Sequence, residues 1–304
     1  MPCFSKKIEE QLPSGLRLDR YVSEFLKLLS RSQIKARFLN AKINGKNVKL
    51  SRPVKQGDIL ELSWDDAPPQ NIIPQDIPLN IVYEDEKQVV INKAWGMVVH
   101  PGAGNRQGTL ANALFFRRLS IGSGDLTAGL RAGIVHRLDK ETSGIIIAAY
   151  NDEAHSFLAE QFKTRKVKKN YLAIISGTPK EKKGRIETYI ARDPKDRKRF
   201  TVSAAGKTAI TFYRVLKSWQ NYSLVMLRPR TGRTHQLRVH LRYLGYPILG
   251  DPVYGYNDKY FPDATLMLHS KSLEITLFGE TTPRIFSSPM PERFIAVIEK
   301  LNRS

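Results

Sequence analysis

The chain has 304 residues, enough for about two domains, and its 49 Lys and Arg against 29 Asp and Glu give a net charge of +20. With 41% hydrophobic residues it can build real cores, which excludes wholesale disorder, and its single cysteine, Cys3, excludes a disulfide framework or a multi-cysteine metal site and fits a reducing compartment. The longest purely apolar run, Ile145–Tyr150, falls far short of the ~18 residues that span a bilayer, and residues 1–10 carry no apolar secretory core, so the expectation is a cytoplasmic protein with no membrane partner.

A positive excess of this size points first to a polyanion, because Lys and Arg bound to phosphate supply most non-specific nucleic-acid affinity. The excess is also local. Residues 14–64 hold 11 Lys or Arg against 4 Asp or Glu, a net of +7. In this block Leu18, Tyr21, Val22, Phe25, Leu28 and Leu29 recur at helical spacing, which predicts a helix over Asp19–Leu29. Ser30-Arg31-Ser32 breaks the pattern and can cap a second helix that buries Ile34, Phe38 and Leu39. Asn44-Gly45 is the strongest two-residue hairpin signal, and Ile59–Trp64 reads as a closing strand entered through Gly57-Asp58. Arg17, Arg20, Arg31, Lys35 and Arg37 then form either a phosphate-gripping face or merely a solvated helix surface. The segments Leu16-Arg17-Leu18-Asp19, Ser30–Ile34, Ile43–Lys46 and Gly57–Ile59 together resemble the S4 RNA-binding domain over about fifty residues, with Ala41 standing where that pattern has a larger β-branched residue. The resemblance implies a small N-terminal α/β domain whose Arg17, Arg31, Lys35 and Arg37 bind RNA.

Residues 65–78, with Pro68, Pro69, Pro74 and Pro78, read as a semi-extended linker. Residues 79–304 follow as one unit of 226 residues. Strand-like runs at Ile81–Tyr83, Val89–Asn92, Ile145–Ala149, Tyr171–Ser176, Ile210–Val215, Ser223–Leu227 and Ser272–Thr276 alternate irregularly with helical stretches near Leu110–Leu119, Glu153–Phe162 and Gln236–Leu244. There is no repeat period and no glycine-rich phosphate loop. The expected class is α+β with a mainly antiparallel mixed sheet.

Gly133–Gly144 packs ionisable groups between a turn and an apolar strand, where sites are commonly built. Its Asp139 can be a nucleophile, a base or a turn cap. A metal site is not expected, because His136 has no cysteine nearby and His235 and His240 are five apart rather than four.

His136-Arg137-Leu138-Asp139-Lys140-Glu141-Thr142-Ser143-Gly144 resembles the signature of the RluA family of pseudouridine synthases. Further segments agree in order: Val99–Gly104 with Gly108-Thr109-Leu110, then Lys169-Asn170-Tyr171-Leu172-Ala173, then Arg230–His240, then Gly250-Asp251-Pro252 with Tyr254-Gly255. The resemblance implies the pseudouridine synthase fold and an isomerase that needs no cofactor, metal or ATP. It makes Asp139 the carboxylate that works at the sugar, by attack on C1′, attack on the base or proton removal. It makes Tyr171 the ring that stacks on uracil with its phenolic oxygen near C5. Arg233 would pair with Asp139, a task its fixed fork suits; from the residues alone it reads as a phosphate ligand among Arg228, Arg230, Arg238 and Arg242. Arg137 would fill the space left by the extruded base, or else pair with Glu141 or Asp125. Lys169 and Arg230 would follow RNA phosphates, as would the basic stretches Lys163–Lys169 and Arg192–Arg199.

The expected partner is RNA, most naturally large-subunit ribosomal RNA or an assembling subunit, bound by a monomer. The competing readings are a catalytically silent S4-bearing assembly factor, a glycoside hydrolase and a DNA-binding protein. The second wants two carboxylates at the scissile bond, whereas this motif centres on one. The third lacks a groove-reading helix motif.

Overall fold

In a computed structural model of the chain, the residues described are 3–26, 28–29, 34, 39–64, 72–102, 104–120, 133–196 and 198–303. The molecule divides into two compact units, Met1–Asn71 and Ile72–Ser304.

The N-terminal unit is an antiparallel sheet in the order β1 (Cys3–Lys7), β4 (Ile59–Ser63), β2 (Asn40–Ile43), β3 (Lys46–Asn47). Asn44 and Gly45 make the β2–β3 turn with φ of 50° and 76°, the pair of positive values that a two-residue hairpin following the strand twist requires. Asn44 also ties the turn to β4, since its Oδ1 accepts from the Ile59 N–H at 2.8 Å. The expected Asp19–Leu29 helix is an α-turn over Leu18–Arg20 that widens into a π-turn over Tyr21–Phe25, burying Leu18, Tyr21 and Val22. Ile34 and Leu39 are buried in the same core, while most of the second expected helix, Arg31, Lys35 and Arg37 included, lies outside the described residues. Strand β1 lies before the block that the sequence marked; it pairs with β4 in the register Lys6↔Leu60.

The second unit is built on a ten-stranded sheet. From one edge inward it runs through β10 (Phe200–Val202), β9 (Lys183–Arg192), β11 (Lys207–Ser218), β12 (Tyr222–Pro229), β8 (Lys168–Ser176) and β13 (Leu268–Thr276). It continues through β7 (Ser143–Ala149) and β6 (Gln88–Lys93) to β5 (Ile81–Glu84), with β14 (Pro283–Ser287) beside β13. All pairings are antiparallel except β13–β7, which is parallel at His269↔Ser143 and Ser270↔Gly144. Strand β7 is buried along its whole length, so it reads as a continuous Ile-Ile-Ile-Ala-Ala run rather than an alternating one. Helices at Leu110–Ser120, Asp152–Lys163, Gln236–Tyr243 and Glu292–Arg303 pack on this sheet. Asn151 caps the second of these, its side chain accepting from the Ala154 N–H at 2.8 Å. The architecture is the α+β, mainly antiparallel one expected. Strands β9, β10 and β14 and the C-terminal helix are additions to it.

Candidate active site

A cavity of about 470 Å³ opens where three segments meet: the loop before β7, the start of β8, and the turn from β12 into the Gln236–Tyr243 helix. Asp139, Arg137, Tyr171, Lys169, Arg230 and Arg233 all line it.

The loop that carries Asp139 is fixed from beneath by the sheet. Gly133 and Gly144 bracket it with φ of 72° and 111°. A Cβ on the first would fall 1.7 Å from the Ala149 carbonyl oxygen, and one on the second 2.2 Å from that of Ser270. Only glycine fits where the backbones approach so closely. Leu138 points into the main core, and the Thr142 N–H donates to the Asp139 carbonyl at 3.1 Å, closing a tight turn around the carboxylate. His136 Nε2 accepts from the Ile147 N–H at 3.1 Å and its ring stacks on Phe162 at 4.4 Å. Burial, with help from the Lys169 charge, pushes this imidazole down to about 3, so it is a neutral structural acceptor. Ser143 hydrogen-bonds His269 Nδ1 at 2.9 Å and accepts from Arg293 of the C-terminal helix at 2.8 Å. Below the loop, the buried Lys93 ammonium donates to the carbonyls of Ala94, Met97 and Lys140 at 2.8, 2.8 and 3.2 Å. Burial pulls it down to about 7 despite the Asp139 charge. The signature's residues therefore divide: Asp139 and Arg137 line the cavity with exposed surface to offer, while Leu138, Thr142, Ser143 and Gly144 hold the loop's shape.

Opposite lies the segment after β12. Gln236 organises it with every hydrogen-bonding group in use. Its Oε1 accepts from Thr231 Oγ1 at 2.7 Å and from the Arg233 N–H at 3.0 Å, and its Nε2 donates to the Ile210 carbonyl and to Thr211 Oγ1. The helix it opens is pinned to β9 and β11 by His240, whose two ring nitrogens meet Thr188 Oγ1 at 3.0 Å and Thr211 Oγ1 at 2.9 Å. Burial pushes this ring down to about 4.

The arginine at the carboxylate is Arg238, and this corrects the sequence expectation. Arg238 Nη1 stands 3.6 Å from Asp139 Oδ2. The expected partner, Arg233, turns its Nε to the Thr208 carbonyl at 3.0 Å instead. The reason is local. Arg233 lies in the turn that Gln236 holds, beside strand β11, whereas Arg238 lies inside the following helix on its buried side, with 3% of its side chain exposed. Arg238 also makes a bidentate pair with Asp251, both hydrogen bonds at 2.7 Å. Burial alone would push the Asp251 carboxyl up, but that guanidinium and the N–H groups of Tyr254 and Val253 hold it below the usual range. One cation thus serves two carboxylates: Asp251 with no exposed side chain, and Asp139 with 20% exposed. His235 completes the set with Nε2 at 4.0 Å from the same Oδ2.

Tyr171 sits on β8, paired with Leu227 of β12 and Ser270 of β13. Burial, with the Asp139 charge and against a hydrogen bond with Ser270, pushes its phenol up to about 12. At neutral pH it is an uncharged ring suited to lie against a flat base. Lys169, two residues earlier, is held over the Phe162 ring at 6.0 Å, and burial pulls its ammonium down. Arg230 and Arg137 are exposed at the cavity's edge. In the N-terminal unit, Arg17 is exposed and forks onto Asp19 at 3.1 and 3.0 Å. The sequence alone did not mark Arg238, His235 or Asp251 as site residues. The signal for Arg238 and Asp251 was their buried, complementary charge, which no spacing rule reveals.

Among the described residues no group of three His, Cys, Asp or Glu side chains could hold a metal ion. One carboxylate held by a guanidinium, a neutral aromatic ring beside it and a cationic rim suit an attack at a sugar carbon next to a stacked base. The comparisons with known proteins agree. Residues 87–243, which hold all three elements, match the model of the RNA pseudouridylate synthase family. The chain is 43% identical over 298 residues to the "Ribosomal large subunit pseudouridine synthase D" of Borreliella burgdorferi, covering 96% of this chain and 91% of that protein. It is 35% identical to the uncharacterized RNA pseudouridine synthase YlyB of Bacillus subtilis, over 95% of both chains. Among solved structures, human RNA pseudouridylate synthase domain containing 1 superposes with a TM-score of 0.59 at 27% identity, over 76% of this chain and 97% of that one. The cleft, its motifs in order and these likenesses converge: the chain belongs to the RNA pseudouridylate synthase family and is an RNA pseudouridine synthase, an isomerase.

Proposed function

We propose that the chain isomerises uridines of large-subunit ribosomal RNA, as a cytoplasmic monomer acting on the RNA or on an assembling subunit. The observation that carries the reading is the pairing of Arg238 with Asp139 across the cavity from which Tyr171 is reached. It is supported by the names of relatives at about 40% identity, from Borreliella burgdorferi, Blochmanniella floridana and Zymomonas mobilis, each a "Ribosomal large subunit pseudouridine synthase D". In the reaction the N1–C1′ bond breaks, the base turns, C5 joins C1′, and C5 loses a proton while N1 gains one, so atoms and electrons balance without a co-reactant. Asp139 works at the sugar while Arg238, 3.6 Å from its Oδ2, holds it from the helix side. Tyr171 holds the detached base, and Arg137 occupies the space the flipped nucleotide leaves. Lys169 and Arg230 guide phosphates at the rim.

The N-terminal unit, in this reading, is an S4-type grip whose motif runs over residues 14–64, with strand β1 added before it. Of the expected linker 65–78, residues 72–78 belong to the catalytic unit, where Ile73 and Gln75 bond to Asn112. Arg17, Arg31, Lys35 and Arg37 of the grip add affinity without chemistry. A silent assembly factor would need the N-terminal unit and the +20 charge, but not the Asp139–Arg238–Tyr171 set.

The test is a map of pseudouridine in ribosomal RNA from cells with and without the gene, complemented by Asp139→Asn. The isosteric amide should lower single-turnover conversion by about 10⁴-fold or more, with RNA affinity kept. Turnover within tenfold of wild type would sink the assignment. Changing Arg31, Lys35 and Arg37 together to alanine should leave the rate at saturating RNA unchanged. The slope of log affinity against log salt should flatten by roughly 0.7–0.9 for each phosphate no longer neutralised.

A further inference from the structure

His235 enters the Gln236–Tyr243 helix with φ of 55°, in the left-handed region that few non-glycine residues occupy, histidine less rarely than most. Such strain persists only where the surroundings impose it, and here they do. Phe200 and Tyr254 both meet the imidazole edge-on, with ring centroids 5.6 Å away in each case. The Tyr254 hydroxyl accepts from the Phe200 backbone N–H at 2.8 Å and lies 3.0 Å from His235 Nδ1. A phenol has one proton. With the Phe200 N–H already donating into the oxygen, the arrangement that leaves no hydrogen unused sends that proton to Nδ1. Nδ1 is then an acceptor, and the neutral ring must carry its own hydrogen on Nε2, the nitrogen that faces Asp139 Oδ2 at 4.0 Å. Burial, the largest influence on this ring, favours the uncharged form, with Asp139 opposing it.

We propose that His235 is a positioning residue for the isomerisation: a neutral Nε2–H donor, its tautomer fixed by Tyr254 and Phe200, that holds Oδ2 of Asp139 alongside Arg238 and leaves Oδ1 to the ribose. Charge explains why a neutral donor is suited here. Arg238 already stands against two carboxylates, Asp139 and Asp251, so the three groups together keep one negative charge. A second cation on Asp139 would cancel that charge and weaken the carboxylate for attack or proton removal. A neutral N–H fixes its direction and leaves the charge in place. At 4.0 Å the contact is longer than a hydrogen bond and, on this proposal, tightens in the complex with RNA, as catalytic hydrogen bonds in free enzymes often do.

The experiment uses the full-length protein. With ¹⁵N-labelled histidine, long-range ¹H–¹⁵N spectra at pH 7 should show His235 protonated on Nε2 and bare on Nδ1, the resonances being assigned by their loss in His235→Asn. Tyr254→Phe should release the tautomer into a mixture. This readout needs no substrate, so it succeeds or fails apart from the ribosomal assignment. An Nδ1–H ring or an imidazolium at pH 7 overturns the proposal.

Kinetics then test the role, on an RNA transcript in which the wild-type enzyme forms pseudouridine. Asparagine tolerates the left-handed backbone but cannot reach Oδ2, so His235→Asn should slow single turnover at saturating RNA by about 30–100-fold, with affinity within about threefold. The amide nitrogen of His235→Gln falls near the Nε2 position and should recover about tenfold of that loss. Equal rates for the two variants, whether fast or slow, would reduce His235 to a backbone element and refute the assignment.

Discussion

The two walls of the cleft are held by different means. The Asp139 wall is set by a sheet: Gly144 lies against the Ser270 carbonyl, Lys93 grips three backbone carbonyls, and Ser143 is tied to His269 and Arg293. The opposite wall is set by a helix start, where Gln236 satisfies the turn and His235 reverses the chain so that Arg238 faces inward. On the sheet side the signature residues are fixed mainly by the strands around them, with Arg293 and Phe162 reaching in from two helices to hold Ser143 and His136. On the helix side, the side chain that reaches the carboxylate depends on where the helix begins. A shift of that origin would exchange one arginine for another. The acid of this enzyme is therefore placed by strand register and its cation by helix phase.

The strongest way to break that contrast is to exchange the fates of the two arginines. Arg238→Met leaves Asp139 and Asp251 without their shared cation. It should lower single-turnover rate by about 10²–10³-fold and cost about 3–5 kcal/mol of stability, because one member of a buried pair is left uncompensated. Arg233→Met removes a hydrogen bond to one carbonyl, so the rate at saturating RNA should stay within about threefold while affinity falls modestly. Rapid-quench measurements together with urea melts decide it. If Arg233→Met is the slower enzyme, the pairing at Asp139 has been misassigned.

A second pair of substitutions sharpens the same contrast through glycine. Gly144→Ala would put a Cβ 2.2 Å from the Ser270 oxygen at a φ of 111°. The cost should be at least about 3 kcal/mol from strain and overlap together, with β7 and β13 pushed apart beneath Asp139. Gly232→Ala in the other wall meets only the Lys169 Nζ, at 3.9 Å, and should change stability by no more than about 0.5 kcal/mol. Thermal melts of the two variants check this, and a Gly144→Ala protein that melts with the wild type would show that the walls are not differently built.

What the sequence revealed follows the same division. The Asn44-Gly45 hairpin was legible because a two-residue turn is chemically specified by its own residues. The β7 strand was legible as an unbroken apolar run, and the Asp139 loop stood out as ionisable groups beside it. Strand β9 was not. Its buried positions Ile186, Thr188 and Ile190 alternate with Arg185, Glu187 and Tyr189, and charge together with a threonine mask the period of two. The C-terminal helix buries only Phe294, Val297 and Leu301, spaced three and four apart among charged residues, so its apolar stripe is narrow although its period is regular. Arg238 was hidden for a deeper reason: in a segment with arginines at 228, 230, 233, 238 and 242, the one facing Asp139 is selected by the left-handed turn at His235, which no propensity foretells.

The smallest expected effect concerns the histidine behind each wall. His269 supports Ser143 on the sheet side, and His240 bonds Thr188 and Thr211 on the helix side. Both are fully buried, and burial, for His269 aided by the charges of Arg293 and Lys271, pushes each down to about 4. In the unfolded chain each titrates near 6.5, so between about pH 6.5 and pH 4 the unfolded state binds the more protons. Stability therefore falls as pH falls through that window, by about 1.4 kcal/mol per pH unit for each ring, and neither ring contributes a slope above about pH 7. His136 adds a slope of the same sign. Urea denaturation from pH 4.5 to 7.5 should show this decline, and either His240→Gln or His269→Gln should flatten it by about one ring's share while lowering stability at pH 7. The two variants also say which wall yields first. If His269→Gln loses turnover at pH 5.5 while His240→Gln keeps it, the Asp139 loop is the more acid-sensitive side. A stability curve flat down to pH 5 would mean that neither ring is held neutral by burial, and the assigned supports of both walls would fail with it.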